Sequence, residues 1–147
     1  MNLCFDECMP PKWCRLFADM LARKKTPVTA KHILEQFTPG KGDDEVVDWL
    51  VQQVPPILMI SGDSGQKSGQ DPRLPLLCPK KGITSIIIAR KLCQVEAFEK
   101  IRMLMVCLPR IQEIYDAERG KRYKLKRAGA HSYVIEEWAL PSPPPKS

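Results

Sequence analysis

Apolar residues recur at helical spacing in three segments of the first half of the chain. The first segment follows Pro10-Pro11, and its apolar residues are Trp13, Leu16, Phe17, Met20 and Leu21. The second opens at Thr29, which can cap a short helix, and stops at Thr38-Pro39-Gly40. The third begins at Asp43 and Asp44, because negatively charged side chains stabilise the N-terminus of a helix. The pattern therefore predicts three short helices.

The hydrophobic period changes after the third helix. Ile57-Leu58-Met59-Ile60 is a compact apolar run, and Leu74-x-Leu76-Leu77 follows it after a polar loop. This order predicts a strand, a loop and a second strand. Three helices followed by a hairpin is the order of a winged helix, which is a variant of the helix-turn-helix.

The second half of the chain shows the same order in a shorter form. A helix is predicted from Ile83 to Leu92, and a longer one from Phe98 to Leu108. Residues 122–126 and 132–135 predict a second hairpin, because Gly129 between them can adopt the positive φ of a turn.

Apolar segments in the two halves match at a separation of about 55 residues, as at Val28-Thr29-Ala30 and Ile83-Thr84-Ser85. An internal duplication and a chance similarity between amphipathic helices both explain the match. We expect an α+β, mostly helical fold with one or two winged-helix-like units. The first unit would span residues 1–80 and the second residues 81–140, with a Pro-rich disordered tail over residues 141–147.

Positive charge is concentrated in the second half of the chain. Residues 1–80 hold 10 Lys+Arg and 10 Asp+Glu, whereas residues 81–147 hold 13 and 7, so the second half carries the whole net charge of +6. A cationic surface indicates nucleic acid or an acidic protein as partner. The residues predicted to make this contact are Arg119, Lys121, Arg122, Tyr123, Lys124, Lys126 and Arg127. A solvated hairpin whose lysines point away from the core is the alternative explanation.

The acidic start of the third predicted helix argues against DNA reading by that helix. Its first turns carry Asp43, Asp44, Glu45 and Asp48, which phosphates would repel. We therefore predict a protein contact through Trp49, with Asp44 and Asp48 at the same surface. The alternative is that Trp49 completes the core.

Short motifs resemble catalytic or metal sites without completing them. Gly62-Asp63-Ser64-Gly65 matches the run around a serine-protease nucleophile, but His32 is the only histidine upstream. Lys67-Ser68 resembles the end of a phosphate-binding loop, although Gln66 replaces the last glycine of that motif. The cysteines Cys4, Cys8 and Cys14 lack the spacing of common zinc modules. We therefore predict a protein without enzymatic activity, metal or cofactor.

The cysteines also bear on the compartment. The chain has six cysteines, several of them in apolar patterns, and its N-terminus has early acids and no sustained apolar run. Reduced thiols in the core are the expected state. These features predict a nuclear or cytoplasmic protein without a membrane anchor.

Two segments resemble the last helix and strand of winged helices. One runs from residues 45–50 to Pro55-Pro56-Ile57-Leu58, and the other from residues 98–101 to Leu108-Pro109-Arg110-Ile111, with Arg122-Tyr123-Lys124-Leu125 beyond it. The winged helices of the eukaryotic replication licensing factor, which loads the replicative helicase, have a similar long helix that ends in Leu-Pro before a strand. The resemblance implies a winged helix that contacts proteins on DNA.

These features together predict a non-enzymatic winged-helix adaptor in a nuclear complex on DNA that serves replication, repair or transcription. It would contact nucleic acid or an acidic partner through the basic C-terminal hairpin, and a protein partner is expected. One alternative is a protein-interaction or viral accessory module that does not bind nucleic acid. Another is a metal-dependent or nucleotide-dependent enzyme. The oligomeric state stays open.

Overall fold

The computed structural model describes residues 1–6, 9–23, 28–36, 42–62 and 74–139, which form one six-stranded sheet covered by helices on both faces. The strands are β1 (Asn2–Phe5), β2 (Thr29–His32), β3 (Ile57–Gly62), β4 (Ser85–Ile88), β5 (Arg122–Arg127) and β6 (Tyr133–Glu137). The helices are α1 (Pro11–Ala22), α2 (Ile33–Gln36), α3 (Asp43–Val51), α4 (Leu74–Lys80), α5 (Arg90–Cys93) and α6 (Ala97–Asp116).

The strand order is β2-β1-β3-β4-β5-β6. The strands β1 to β5 are parallel, and β6 pairs antiparallel with β5 at one edge. A parallel sheet needs cover on both faces, so its inner strands are continuously apolar rather than alternating. β1 and β4 are buried along their whole length, and so is β3 up to Gly62. The order of the five parallel strands is one of the two common orders of doubly wound α/β proteins.

Two hydrophobic clusters lie on opposite faces of the sheet. One face packs against α1 and α6, and there Phe5 meets Phe17 edge to face with 5.7 Å between the ring centroids. The other face packs against α2, α3 and α4, and its cluster includes Cys4, Met59 and Leu50. We call these the α1/α6 face and the α3 face. Successive residues of β1 and β3 alternate between them.

The prediction of a mostly helical α+β fold made of winged-helix units is wrong. Helices connect five parallel strands in one mixed sheet, which gives an α/β arrangement. Thr29, which we expected to cap a helix, begins β2, and the predicted helix Ile83–Leu92 contains β4. The apolar pattern also did not predict β1. Conversely, Leu74-x-Leu76-Leu77 lies in α4 and not in a strand.

Short buried strands explain these errors. An apolar run of four residues has no period of its own, so it fits a buried strand and a turn of buried helix equally well. The β-branched run Ile86-Ile87-Ile88 was the available signal for a strand, because such side chains pack well on a pleated sheet.

Other predicted elements are confirmed. These are α1, α3, β3, α6 and the β5–β6 hairpin. However, α6 continues through Pro109 to Asp116, so Leu108-Pro109 does not end a helix as the resemblance to winged helices required. The matching segments of the two halves share the order strand, short helix, longer helix and strand, but α3 and α6 pack on opposite faces of the sheet. The predicted tail over residues 141–147 lies outside the described residues.

The buried centre of the sheet can be tested with Ile60→Ala. Ile60 is fully buried in β3, so we expect the variant to lose about 2–5 kcal/mol of unfolding free energy through lost packing and a residual cavity. The control is Val54→Ala, because Val54 is 91% exposed and its truncation should change stability by less than about 0.5 kcal/mol. Urea unfolding followed by circular dichroism measures both. Equal stabilities would contradict this placement of β3.

Candidate functional site

The basic run predicted to bind a partner forms most of strand β5. Strand β6 lies antiparallel beside it, with Lys124 opposite Glu136 and Lys126 opposite Val134. Residues opposite each other in an antiparallel pair point to the same face. The hairpin therefore presents its lysines next to the glutamates of its own second strand.

Arg122 is a structural residue of the hairpin. Its side chain is only 4% exposed, and its guanidinium lies 3.7 Å from the centroid of the Trp138 ring. Its Nε and Nη2 donate hydrogen bonds to the carbonyls of Trp138 and Ala139, at 3.3 and 2.8 Å. Lys124 lies over the same ring at 4.7 Å. These contacts fasten the end of β6 to β5, so Arg122 does not face a partner.

Carboxylates neutralise further cations of the run. Lys126 Nζ lies 2.9 Å from Glu136 Oε2, and Lys121 Nζ lies 3.6 Å from Glu118 and 3.9 Å from Glu137. Such exposed pairs contribute little to stability, typically about 0–1 kcal/mol. They nevertheless reduce the positive potential that a phosphate group would meet.

The remaining predicted contact residues of the second half differ in exposure. Tyr123 is 6% exposed and belongs to the core of the α1/α6 face, so its ring does not offer a stacking surface. Arg119 is exposed and lies over the ring of Tyr115. Arg127 is exposed at the end of β5 and lies over Tyr133.

The predicted protein-contact residues lie on α3. Trp49 is half-buried and packs against the cluster of the α3 face, and its carbonyl accepts a hydrogen bond from Gln53 Nε2 at 3.0 Å. Asp44 and Asp48 are exposed one helical turn apart. The α3 surface thus combines a tryptophan that is partly in the core with an acidic outer row.

A second candidate site lies where the strand order reverses. From β1 the chain passes to β2 on one side and later to β3 on the other, and open α/β sheets bind ligands in the crevice at the carboxyl ends of such strands. Asp6 directly follows β1, and its backbone N–H donates to the Ile60 carbonyl at 3.3 Å. This hydrogen bond continues the β1–β3 pairing and places Asp6 beside Ser61.

Ser61 is a buried polar residue in this crevice. It is 1% exposed, and its Oγ has no hydrogen-bond partner among the described residues. Cys4 and Met59 point to the α3 face, and by the alternation of strands so do Asp6 and Ser61. Ser85 has a similar unpartnered hydroxyl, but it lies at the amino end of β4 and away from this edge. A buried hydroxyl without a partner requires an explanation, and a bound ligand or ion provides one.

Helix α3 begins at the same edge of the sheet. Its C-terminal end at Val51 leads into the amino end of β3, so the acidic first turn with Asp44 and Glu45 lies toward the carboxyl ends of the strands. In the sequence, Glu7 follows Asp6 and Asp63 follows Gly62, although both acids lie outside the described residues. An acid directly after a buried apolar strand is the sequence signal for this site, and hydrophobic periodicity does not reveal it.

His32 connects the end of β2 to the loop that follows Asp6. The Leu34 N–H donates to its Nδ1 at 3.0 Å, so the other ring nitrogen, Nε2, carries the proton and donates to the Met9 carbonyl. The ring is fully buried. Both nitrogens are therefore occupied by backbone groups, and His32 serves to hold the loop in place rather than to bind zinc or accept a catalytic proton.

Cys4, Cys14 and Cys107 are buried thiols in two separate cores. Cys4 packs on the α3 face and Cys14 on the α1/α6 face. Burial raises the pKa of the Cys4 thiol to about 12, and that of Cys14 and Cys107 to about 11. These groups stay protonated near neutral pH, so they are not poised as nucleophiles. Cys8, Gly65 and Lys67-Ser68 lie outside the described residues.

Comparison with known proteins gives no relative. No family model, no curated protein and no solved structure matches the chain. The arrangement of strands defines the class, an α/β domain, and any function must be argued from its own residues.

The described segments contain neither a preassembled metal cluster nor a helix suited to cross a membrane. No group of three or more His, Cys, Asp or Glu side chains is arranged there to hold a metal ion. Among the described helices, none has the length and apolar character needed to span a bilayer.

The raised thiol pKa values predict slow alkylation of the folded protein. At pH 8 the thiolate is the reactive form, and in Cys4, Cys14 and Cys107 it should be scarce until unfolding returns the pKa toward 9. Iodoacetamide labelling with peptide mass spectrometry, with and without urea, measures this difference. Cys93 is the internal comparison, because it is only half-buried. Rapid labelling of Cys4 without urea would contradict its burial.

Proposed function

We propose that this α/β domain is a divalent-cation-dependent enzyme that cleaves phosphodiester bonds of nucleic acid at the crevice between the carboxyl ends of β1 and β3. One observation carries the proposal. The buried hydroxyl of Ser61, which has no hydrogen-bond partner in the part of the chain that the structure describes, lies beside Asp6 at the position where the strand order reverses. This combination gives a carboxylate and a neutral oxygen at the usual ligand position of the fold.

The chemistry of these oxygens favours a hard cation such as Mg²⁺ or Mn²⁺. Carboxylate, hydroxyl and water oxygens are the preferred ligands of such ions, which bind through one or two carboxylates together with substrate phosphates. Asp44 and Glu45 at the start of α3 add negative charge to the same edge. The sequence supplies Glu7 and Asp63 next to the two strand ends.

A bound cation also answers the shortage of histidines, which led us to predict no enzyme. A divalent cation held by Asp6 would supply Lewis-acid chemistry and would lower the pKa of a bound water below that of bulk water, which would reduce the need for an imidazole base. The same ion would also polarise a phosphoryl oxygen of the substrate. In this proposal the Asp6 carboxylate would hold the cation. The Ser61 hydroxyl would either coordinate the cation or hydrogen-bond a water molecule beside it.

The charge distribution favours nucleic acid as the substrate. The chain carries a net charge of +6, yet the described residues that follow β1 and begin α3 at this edge are the acids Asp6, Asp44 and Glu45. Phosphates would be repelled from an acidic crevice unless a cation lay between them, whereas the basic remainder attracts a polyanion. This contrast supports a site that binds the backbone broadly and uses metal only at the bond that is cleaved.

The non-catalytic adaptor stays a second candidate. Arg119 and Arg127 at the two ends of the basic run have no carboxylate partner among the described residues, which supports a nucleic-acid contact of the hairpin without catalysis. Salt-dependent binding without any cleavage, lost after Arg119→Gln with Arg127→Gln, would favour it. Arg122 should be left in place, because its buried contacts with Trp138 maintain the hairpin.

The enzyme proposal is tested with Asp6→Asn. End-labelled single-stranded RNA and DNA are incubated with the purified chain in Mg²⁺, Mn²⁺ or EDTA, and the products are separated on gels. We expect cleavage that requires the cation, and a rate reduced about 100-fold or more in the variant, since even indirect partners of a metal ligand contribute 10–100-fold. Binding of Mn²⁺ measured by calorimetry should weaken in parallel.

The matched control is Asp19→Asn. This acid is exposed near the C-terminal end of α1, away from the crevice, so cleavage and Mn²⁺ binding should stay at the level of the unmodified chain. Absence of cleavage with both cations, together with equal Mn²⁺ binding by the Asp6→Asn and unmodified chains, would rule out the proposal.

A further inference from the structure

Three exposed cations lie at the carboxyl ends of β4 and β5, on the same edge of the sheet as Asp6. Arg90 and Lys91 begin α5 directly after β4, and Arg127 ends β5. The pairing of the two strands continues past β4, because the Ala89 N–H donates to the Leu125 carbonyl at 3.0 Å. The two cation-bearing ends are therefore neighbours.

These cations are not neutralised by the described part of the chain. None of its carboxylates forms a salt bridge with Arg90, Lys91 or Arg127. Arg127 Nη1 donates to the Ala130 carbonyl at 2.8 Å, and the guanidinium lies 5.7 Å from the Tyr133 ring centroid, which holds it at the strand end. Lys126 differs, because its Nζ pairs with Glu136 Oε2 at 2.9 Å.

We propose that Arg90, Lys91 and Arg127 bind the backbone phosphates of a nucleic-acid strand that crosses the carboxyl edge of the sheet from β5 to Asp6. The inference rests on the proposed function only for the position of the cleaved bond at Asp6. Three strand spacings of about 4.8 Å separate β1 from β5, so the path is about 14 Å long. That length corresponds to roughly four phosphates at the axial spacing of about 3.4 Å in one strand of duplex DNA, and to fewer in an extended single strand.

The direction of the path follows from charge. Moving along the sheet from β1 to β5, the strand ends change from acidic at Asp6 to basic at Arg90 and Arg127. A polyanion gains favourable contacts at the basic end and reaches the acidic end only through a cation. Binding and cleavage would thus involve different residues of one edge.

The test compares two triple variants with the same change in charge. The edge variant carries Arg90→Gln, Lys91→Gln and Arg127→Gln. The control carries Arg23→Gln, Lys80→Gln and Lys81→Gln, which are exposed cations at the C-terminal end of α1 and next to the amino end of β4. Fluorescence anisotropy with labelled single-stranded RNA, single-stranded DNA and duplex DNA is measured in EDTA over a salt series, so that binding is separated from cleavage. Circular dichroism and urea midpoints verify that both variants are folded.

We expect the edge variant to bind single strands at least about 10-fold more weakly at low salt, with the slope of log affinity against log salt reduced by about 2, because each lost phosphate contact removes about 0.7. The control should keep the slope of the unmodified chain. Equal losses of affinity in both variants would show that the strand is attracted by net charge alone, which would overturn the inference. An edge variant with unchanged affinity would also overturn it. So would an unmodified chain that does not bind nucleic acid.

The outcomes separate the inference from the proposed function. If the edge variant loses binding but no cation supports cleavage, the phosphate path stands and the enzyme proposal falls. If the unmodified chain cleaves nucleic acid and the edge variant binds and cleaves equally well, the enzyme proposal stands and this path is wrong.

Discussion

The structure depends on the pairing of β1 with two parallel neighbours. This strand of four residues forms hydrogen bonds with β2 on one side and β3 on the other, in matched register along its whole length. Since both of its faces are also covered, each of its residues must suit a buried sheet. The carboxyl ends of all the parallel strands then meet at one edge, and the helices that return the chain to the other edge must begin there. Asp6, the start of α3 and the start of α5 share that edge for this reason.

The sequence predicted the elements with a strong period and missed those without one. Helices α1 and α6 have apolar stripes over several turns, and the hairpin has a glycine-containing turn between two strand-like runs. β1, β2 and β4 have only four residues each, too few for a period. Once these three strands were missed, the remaining helices and hairpins resembled a winged helix. Parallel pairing between distant segments leaves no local trace that would have corrected the error.

The candidate sites were likewise predicted from the sequence only in part. Composition identified the positive charge of the second half, but it did not reveal that Glu136 would pair with Lys126 and Glu137 with Lys121. Nor did it distinguish Arg122, held under Trp138, from the exposed Arg127 four positions after Tyr123. Composition gives the sign of the surface charge, whereas strand pairing decides which of the charged side chains can contact a partner. The importance of Asp6 depends in turn on β1, and no pattern in the sequence had assigned β1 to a sheet.

The two outer strands of the sheet have a further consequence for the behaviour of the molecule in concentrated solution. An unpaired strand edge can recruit a strand from a second copy, and charged side chains on outer strands discourage such growth. β2 carries Lys31 within its four residues, and β6 ends in Glu136 and Glu137. Stacking of two copies edge to edge would bring like charges of identical strands together. The glutamates that pair with Lys121 and Lys126 therefore also discourage edge-to-edge association of two copies of the sheet.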